Sequence, residues 1–236
     1  MYKTRIILVM VIILVLGPPL QISANEGPSA NYDKVIYLTF DDGPSSTTNT
    51  ILDILDDNDI KATFFIIGCK IKGNENVIRR IKKEGHSIGL HSYTHKCRKI
   101  YSDKEDFIKE MYMTRDALCK ITGEKYNVIR FPSGSKGHLN ENMLEILHLC
   151  NFRTYDWNMS VSDGINYKIP PYRLFREATS KKKKPNTIFM LMHCDQPNKN
   201  TCEALQNIID YYRNDGYTFQ AIKDETREFY FPFSKK

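Results

Sequence analysis

The chain has 236 residues, 41% hydrophobic and 26% charged, with no low-complexity tract, which argues against a disordered polymer and suits an ordinary globular protein of one domain. Its net charge of +6 is spread along the sequence, except for the block at residues 181–184, which reads as a solvated loop beside Pro185. This pattern argues against nucleic acid as a partner and suits an anionic wall or membrane surface.

Lys3 and Arg5 precede an apolar run at residues 6–16, followed by Gly17-Pro18-Pro19 and the small residues Ser23 and Ala24. The order is that of a secretory leader cleaved near Ala24. The run falls short of the roughly 20 residues a membrane span needs, so an uncleaved anchor is the alternative rather than the expectation. The expected organisation is a leader at 1–24, a polar linker at 25–33 and one domain at 34–236. Outside the cell, Cys69, Cys97, Cys119, Cys150, Cys194 and Cys202 could form three disulfides. Free buried thiols are equally compatible, and no Cys-x-x-Cys pair occurs.

From there strand-like and helix-like segments alternate. Strands are expected at 35–40, 62–67, 86–91, 127–131, 152–157, 187–193 and 217–222. Helices are expected at 48–57, 76–84, 103–121 (with Ser102 as N-cap), 141–149, 172–180 and 202–214. This alternation predicts a parallel sheet covered by helices, an α/β fold. Seven strands without a glycine-rich phosphate fingerprint favour a closed or nearly closed barrel over an open doubly wound sheet.

The polar residues fall where such strands end. Asp41 and Asp42 follow the first strand, His91 and His95 end and follow the third, and Arg130 ends the fourth. Asp163 follows the fifth, and His193 closes the sixth. In a parallel barrel these ends open on one face and meet in one cleft. Asp-Gly-Pro alone marks a tight turn, but adjacent aspartates repel unless a cation or proton compensates, so the second carboxylate points to a metal. Two histidines four residues apart suit two ligands of one ion, and with a carboxylate they leave coordination positions open for water and substrate. His193, taken alone, could equally be a satisfied core histidine. His86, His138 and His148 read as structural or exposed, and the aromatics at 229–233 as closing the end of the barrel, with sugar stacking the alternative.

Thr39-Phe40-Asp41-Asp42-Gly43-Pro44, His91-Ser92-Tyr93-Thr94-His95, Arg130-Phe131-Pro132-Ser133-Gly134, the stretch from Trp157 to Asp163, and Leu191-Met192-His193 stand in the order of the five motifs of the polysaccharide deacetylase (NodB homology) domain, carbohydrate esterase family 4. The chain resembles that family from about Lys34 to its end. The resemblance implies a distorted (β/α)7 barrel and hydrolysis of N-acetyl groups on a cell-wall glycan such as peptidoglycan. It implies a divalent ion, zinc before cobalt, nickel or manganese, on Asp42, His91 and His95, with Asp41 as general base. It further implies Ser133 as an oxyanion-site backbone amide and His193 as the general acid, oriented by Asp163. By the same resemblance Arg130 is expected to pair with Asp41, and Leu191 and Trp157 to line the acetyl pocket. The expected partner is the glycan alone, with the protein a monomer.

Two positions depart from the family pattern: Ser133 stands where an aromatic residue is usual, and Gly164 where a tryptophan often follows the aspartate. An O-deacetylase of a xylan-like polymer, and a binding protein that has lost catalysis, are the alternative functions. The second should have lost Asp41, a ligand or His193, and the sequence retains them all.

Overall fold

The first strand, β1 (Val35–Gly43), is buried on both faces, as a near-continuous apolar run must be in a sheet covered on one side by helices and filled on the other by side chains. The computed structural model describes residues 34–181 and 183–233, so the expected leader and linker lie outside the described residues. The other strands are β2 (Thr63–Ile66), β3 (Ser87–Leu90), β4 (Val128–Ile129), β5 (Arg153–Thr154), β6 (Met159–Ser160), β7 (Thr187–His193) and β8 (Thr218–Phe219). Their pairing is parallel throughout, in the order β5-β4-β3-β2-β1-β7-β6, with β8 beside the start of β1.

The two end strands, β5 and β6, are consecutive in the chain, so the sheet curls round to a seam between them. No ladder joins β5 to β6 among the described residues. At the seam Tyr155 bridges to Phe229 and the amide of Asn158 donates to Phe189 O. The architecture is the expected distorted (β/α)7 barrel, and residues 229–233 help to close it.

Helices α1 (Ser46–Asp57), α2 (Glu75–Lys83), α3 (Cys97–Ile100), α4 (Lys104–Thr122), α5 (Glu141–Leu149), α6 (Pro171–Thr179) and α7 (Lys199–Asn214) connect the strands. Their apolar faces join the outward residues Ile36, Leu38, Phe40, Ile188, Met190 and Met192 in the main core. The alternate residues of β1 and β7 point into the barrel, where Tyr37 and Phe189 stack with ring centroids 4.8 Å apart. Above them Thr39 stands beside Leu191, and Asp41 beside His193. The register of two strands thus carries two polar side chains to one rim.

Several expectations need correction. The fifth strand is not 152–157: it stops at Thr154, and a further strand, β6, follows after four residues, 155–158, that carry Asp156 and Trp157. Asp163 therefore follows β6, in a short 3-10 turn. The last strand shrinks to Thr218–Phe219 because it has a partner only at Val35 and Ile36. Ser102 is not the cap of α4. Asp103 is, accepting the Asp106 amide at 2.6 Å, while Ser102 Oγ donates to Lys99 O at 2.7 Å. Among the described residues no helix is long and apolar enough to cross a membrane.

Candidate active site

A cleft of about 360 Å³ opens where β1, β3, β4, β6 and β7 end, bordered by Asp41, Asp42, His91, His95, Ser133, Trp157, Leu191 and His193. Arg130 and Asp163 stand behind this lining, 0% and 2% exposed. All ten residues expected from the sequence thus border or back one cleft.

Asp42, His91 and His95 offer ligand atoms that all lie within 4.8 Å of one another. His91 Nε2 and His95 Nε2 stand 3.5 and 3.4 Å from Asp42 Oδ1. Ligands bound at about 2.0–2.1 Å in a tetrahedral arrangement are separated by about 3.4 Å, so the spacing fits one shared zinc-like ion. Asp42 Oδ1 is buried and has no hydrogen-bond partner, a state that a bound cation would relieve. Nδ1 of His91 lies 2.9 Å from Arg130 O. A carbonyl only accepts, so Nδ1 carries the hydrogen and Nε2 presents its lone pair to the cleft. Burial, then the neighbouring His91, push the pKa of His95 below its ordinary value, which also favours a free lone pair.

The backbone is strained here. Asp42, Ser92, His95 and Ser133 all have left-handed φ, of 71°, 62°, 54° and 67°. Each such residue costs on the order of 1–3 kcal/mol, and clustering of this kind is usual at ligand sites.

Asp41, 3% exposed, is held from one side only. Arg130 Nη1 donates to its Oδ1 at 2.9 Å, while Oδ2 faces His91 Nε2 at 3.6 Å. Four of the five guanidinium N–H groups are engaged: Nη1 also reaches Thr39 Oγ1 at 2.7 Å, Nε reaches Tyr155 O at 2.8 Å, and Nη2 reaches Asp156 O at 3.0 Å. It also lies over the Phe65 ring, 4.1 Å from the centroid.

On the far wall His193 Nδ1 donates to Asp163 Oδ1 at 2.8 Å. Asp163 Oδ2 accepts the His193 amide and the Thr201 hydroxyl, each at 2.8 Å. Burial alone would lower the pKa of His193. The hydrogen bond and charge of Asp163, with the charges of Asp41 and Asp42, outweigh it and raise the value to about 9. The imidazole is therefore protonated at neutral pH, with Nε2 as the free donor.

The two departures are legible here. Ser133 is exposed, and its amide donates to no partner among the described residues. A backbone amide is available whatever the side chain is. A Cβ on Gly164 would lie 2.2 Å from His193 Cε1, so the histidine ring fills the space that a side chain at this position would take. Trp157 packs edge-on against Phe231 at 5.0 Å, so the C-terminal aromatics also back the cleft.

Asp156 was not singled out from the sequence. Fully buried, it accepts the amides of Ser135 at 3.0 Å and Phe231 at 2.7 Å and the Ser135 hydroxyl, fixing the Ser133 loop and the tail together. Burial raises its pKa despite those bonds. Its flanking aromatics, Tyr155 and Trp157, stand among polar neighbours and give only a weak signal of burial. His86 accepts the Ala62 amide at 3.1 Å, His138 stacks on Tyr101 at 3.6 Å and His148 pairs with Glu228 at 2.7 Å, all away from the cleft. All six cysteines are free thiols, and Cys194 is buried beneath Asp41 O.

The sequence model of the polysaccharide deacetylase family matches residues 29–155. A peptidoglycan-N-acetylglucosamine deacetylase of Bacillus cereus is 32% identical over 82% of this chain and 71% of its own length. The crystal structure of the polysaccharide deacetylase Bc1974 from Bacillus cereus superposes with a TM-score of 0.76 at 31% identity, covering 85% of this chain and 96% of that one. The catalytic domain of a peptidoglycan N-acetylglucosamine deacetylase from Eubacterium rectale gives 0.77 at 27% identity, covering 89% and 100%.

Replacing Arg130 by methionine leaves Asp41 buried and unpaired, together with three further orphaned acceptors. Urea unfolding at pH 7 should show a loss of about 3–5 kcal/mol. A loss under about 1 kcal/mol would mean that Asp41 is not held as described.

Proposed function

Since the chain belongs to the polysaccharide deacetylase family, we propose that it removes N-acetyl groups from N-acetylglucosamine or N-acetylmuramic acid residues of peptidoglycan, releasing acetate and leaving a free amine on the sugar. What supports this is the convergence on one cleft of an open three-ligand set with a second carboxylate on one side and a protonated imidazole on the other. The similarity to deacetylases of N-acetylglucosamine in peptidoglycan points to the same substrate class.

Asp42, His91 and His95 are the residues that would hold a divalent cation, with zinc our choice because two imidazoles and a carboxylate make a mixed N/O set. When bound, the cation acts as a Lewis acid toward the acetamide carbonyl and lowers the pKa of a water. Asp41 then works as the base through Oδ2, the oxygen that Arg130 leaves free, while Arg130 fixes the carboxylate in place. The Ser133 amide is the backbone donor to the oxyanion. Leu191 and Trp157 border the space for the acetyl methyl.

An amine leaves only if it is protonated, because an amide anion is far too basic. His193 Nε2 supplies that proton, and Asp163 keeps the ring turned and charged. We further propose that a leader at 1–24, followed by a linker at 25–33, exports the domain at 34–236 to meet its polymer outside the membrane, where it acts as a monomer.

Acetate release from peptidoglycan fragments tests the reading. A chelator should abolish it, zinc should restore it, and Asp41→Asn should lower kcat by about 10²–10⁴-fold. Full turnover by Asp41→Asn would remove the assigned base. Faster release from O-acetylated xylan than from peptidoglycan fragments would overturn the substrate.

The pH dependence tests His193 separately. Its charged form is the donor, so activity should fall as pH rises through about 9. A bound cation offsets part of the charge of Asp42 and moves that limb lower. In Asp163→Asn, burial becomes the main influence on the imidazole, and the basic limb should shift to lower pH. An unchanged limb would contradict the role of Asp163.

A further inference from the structure

Helix α4 carries a carboxylate that the chemistry above does not use. Glu110 is 2% exposed, and its two oxygens face the segment that joins the two imidazoles, residues 91–95. Oε2 accepts the amides of Tyr93 at 2.9 Å and Thr94 at 2.6 Å, and Oε1 accepts the Thr94 hydroxyl at 3.1 Å. Lys99 Nζ, more than half exposed, stands 3.2 Å from Oε1 as a partial counter-charge.

The segment does not hold this shape by local preference. Ser92 and His95 both sit in the left-handed region, which is uncommon for any residue other than glycine, and the one internal tie is the His95 amide on Ser92 Oγ at 3.0 Å. The remaining constraints come from outside. The carbonyls of Ser92 and Tyr93 accept the amides of Gly68 at 3.0 Å and Cys69 at 2.8 Å, while Glu110 takes the amides of Tyr93 and Thr94. Gly68 lets that contact close, since a Cβ there would lie 2.3 Å from the Tyr93 ring.

We propose that Glu110 is a positioning residue that sets the cation affinity of the site, by holding both imidazoles at the spacing a shared ion requires without touching ion or substrate. Partners one step removed from a metal fix the orientation of its ligands, and their loss typically weakens binding 10–100-fold. The proposal rests on Asp42, His91 and His95 being the ligands, but not on the identity of the glycan.

The test is the zinc dissociation constant of the metal-free protein, measured by competition with a chromogenic chelator, alongside thermal unfolding of each metal-free form. Glu110→Ala should bind zinc about 10–100-fold more weakly. Glu110→Gln should stay within about threefold of the parent, because one amide oxygen can still accept both backbone N–H groups. Should Glu110→Ala not fold, Glu110→Asp decides: it keeps the charge but withdraws the oxygens by one methylene, and at least about threefold weaker binding is expected. Unchanged zinc affinity in a folded Ala or Asp variant, with only lower stability, would overturn the proposal. Failure of the parent protein itself to bind zinc would instead overturn the ligand assignment.

Discussion

Successive residues of a strand point to opposite faces of a sheet, so Asp41 and Asp42 can serve one cleft only if β1 breaks that rule. It does so at Asp42, where φ is 71° and the register against β2 shifts between Asp41 and Gly43. Without this break the second carboxylate would be directed toward the helices, into an apolar layer containing Phe40 and Met192. The bulge instead keeps both carboxylates on the rim and divides their surroundings. Asp41 meets a guanidinium, and Asp42 meets two imidazoles.

That division separates two demands that one residue could not meet. Arg130 touches Asp41 and reaches no oxygen of Asp42, because it is locked by Thr39, Tyr155 and Asp156 within the barrel. Asp42 keeps a buried oxygen without a partner, which is unfavourable unless a cation arrives. Across the cleft, the parallel pairing of β1 with β7 sets His193 opposite Asp41, and Asp163 keeps the imidazole charged. Fixed charges of both signs thus face one small volume before any substrate enters, the kind of preorganisation that lowers the reorganisation needed during reaction.

Much of this was legible in the sequence, for identifiable reasons. Long apolar strands such as β1 and β7 announce themselves, and α5 occupies the bounds expected for it, with the Asn140 side chain accepting the Met143 amide at its start. Strands of two residues, such as β5 and β6, carry too little pattern to be seen, and their pairing depends on neighbours far away in the chain. The ligand and acid–base candidates were readable because paired aspartates and spaced histidines are unusual at strand ends. Asp156 and Glu110 were not, since a single carboxylate on a helix or beside a strand reads as solvated surface until the loop it supports is seen. The same holds for Gly164, whose consequence depends on where the His193 ring lies.

Asp42, and not its neighbour Asp41, is the carboxylate placed with His91 and His95 to hold a single cation. The most direct measurement is anomalous diffraction at the zinc edge from crystals grown with zinc. One strong peak is expected within bonding distance of an Asp42 oxygen, His91 Nε2 and His95 Nε2, with Asp41 bound to Arg130 and outside the coordination sphere. A peak elsewhere, or an ion bound through Asp41 with Asp42 turned away, would contradict it.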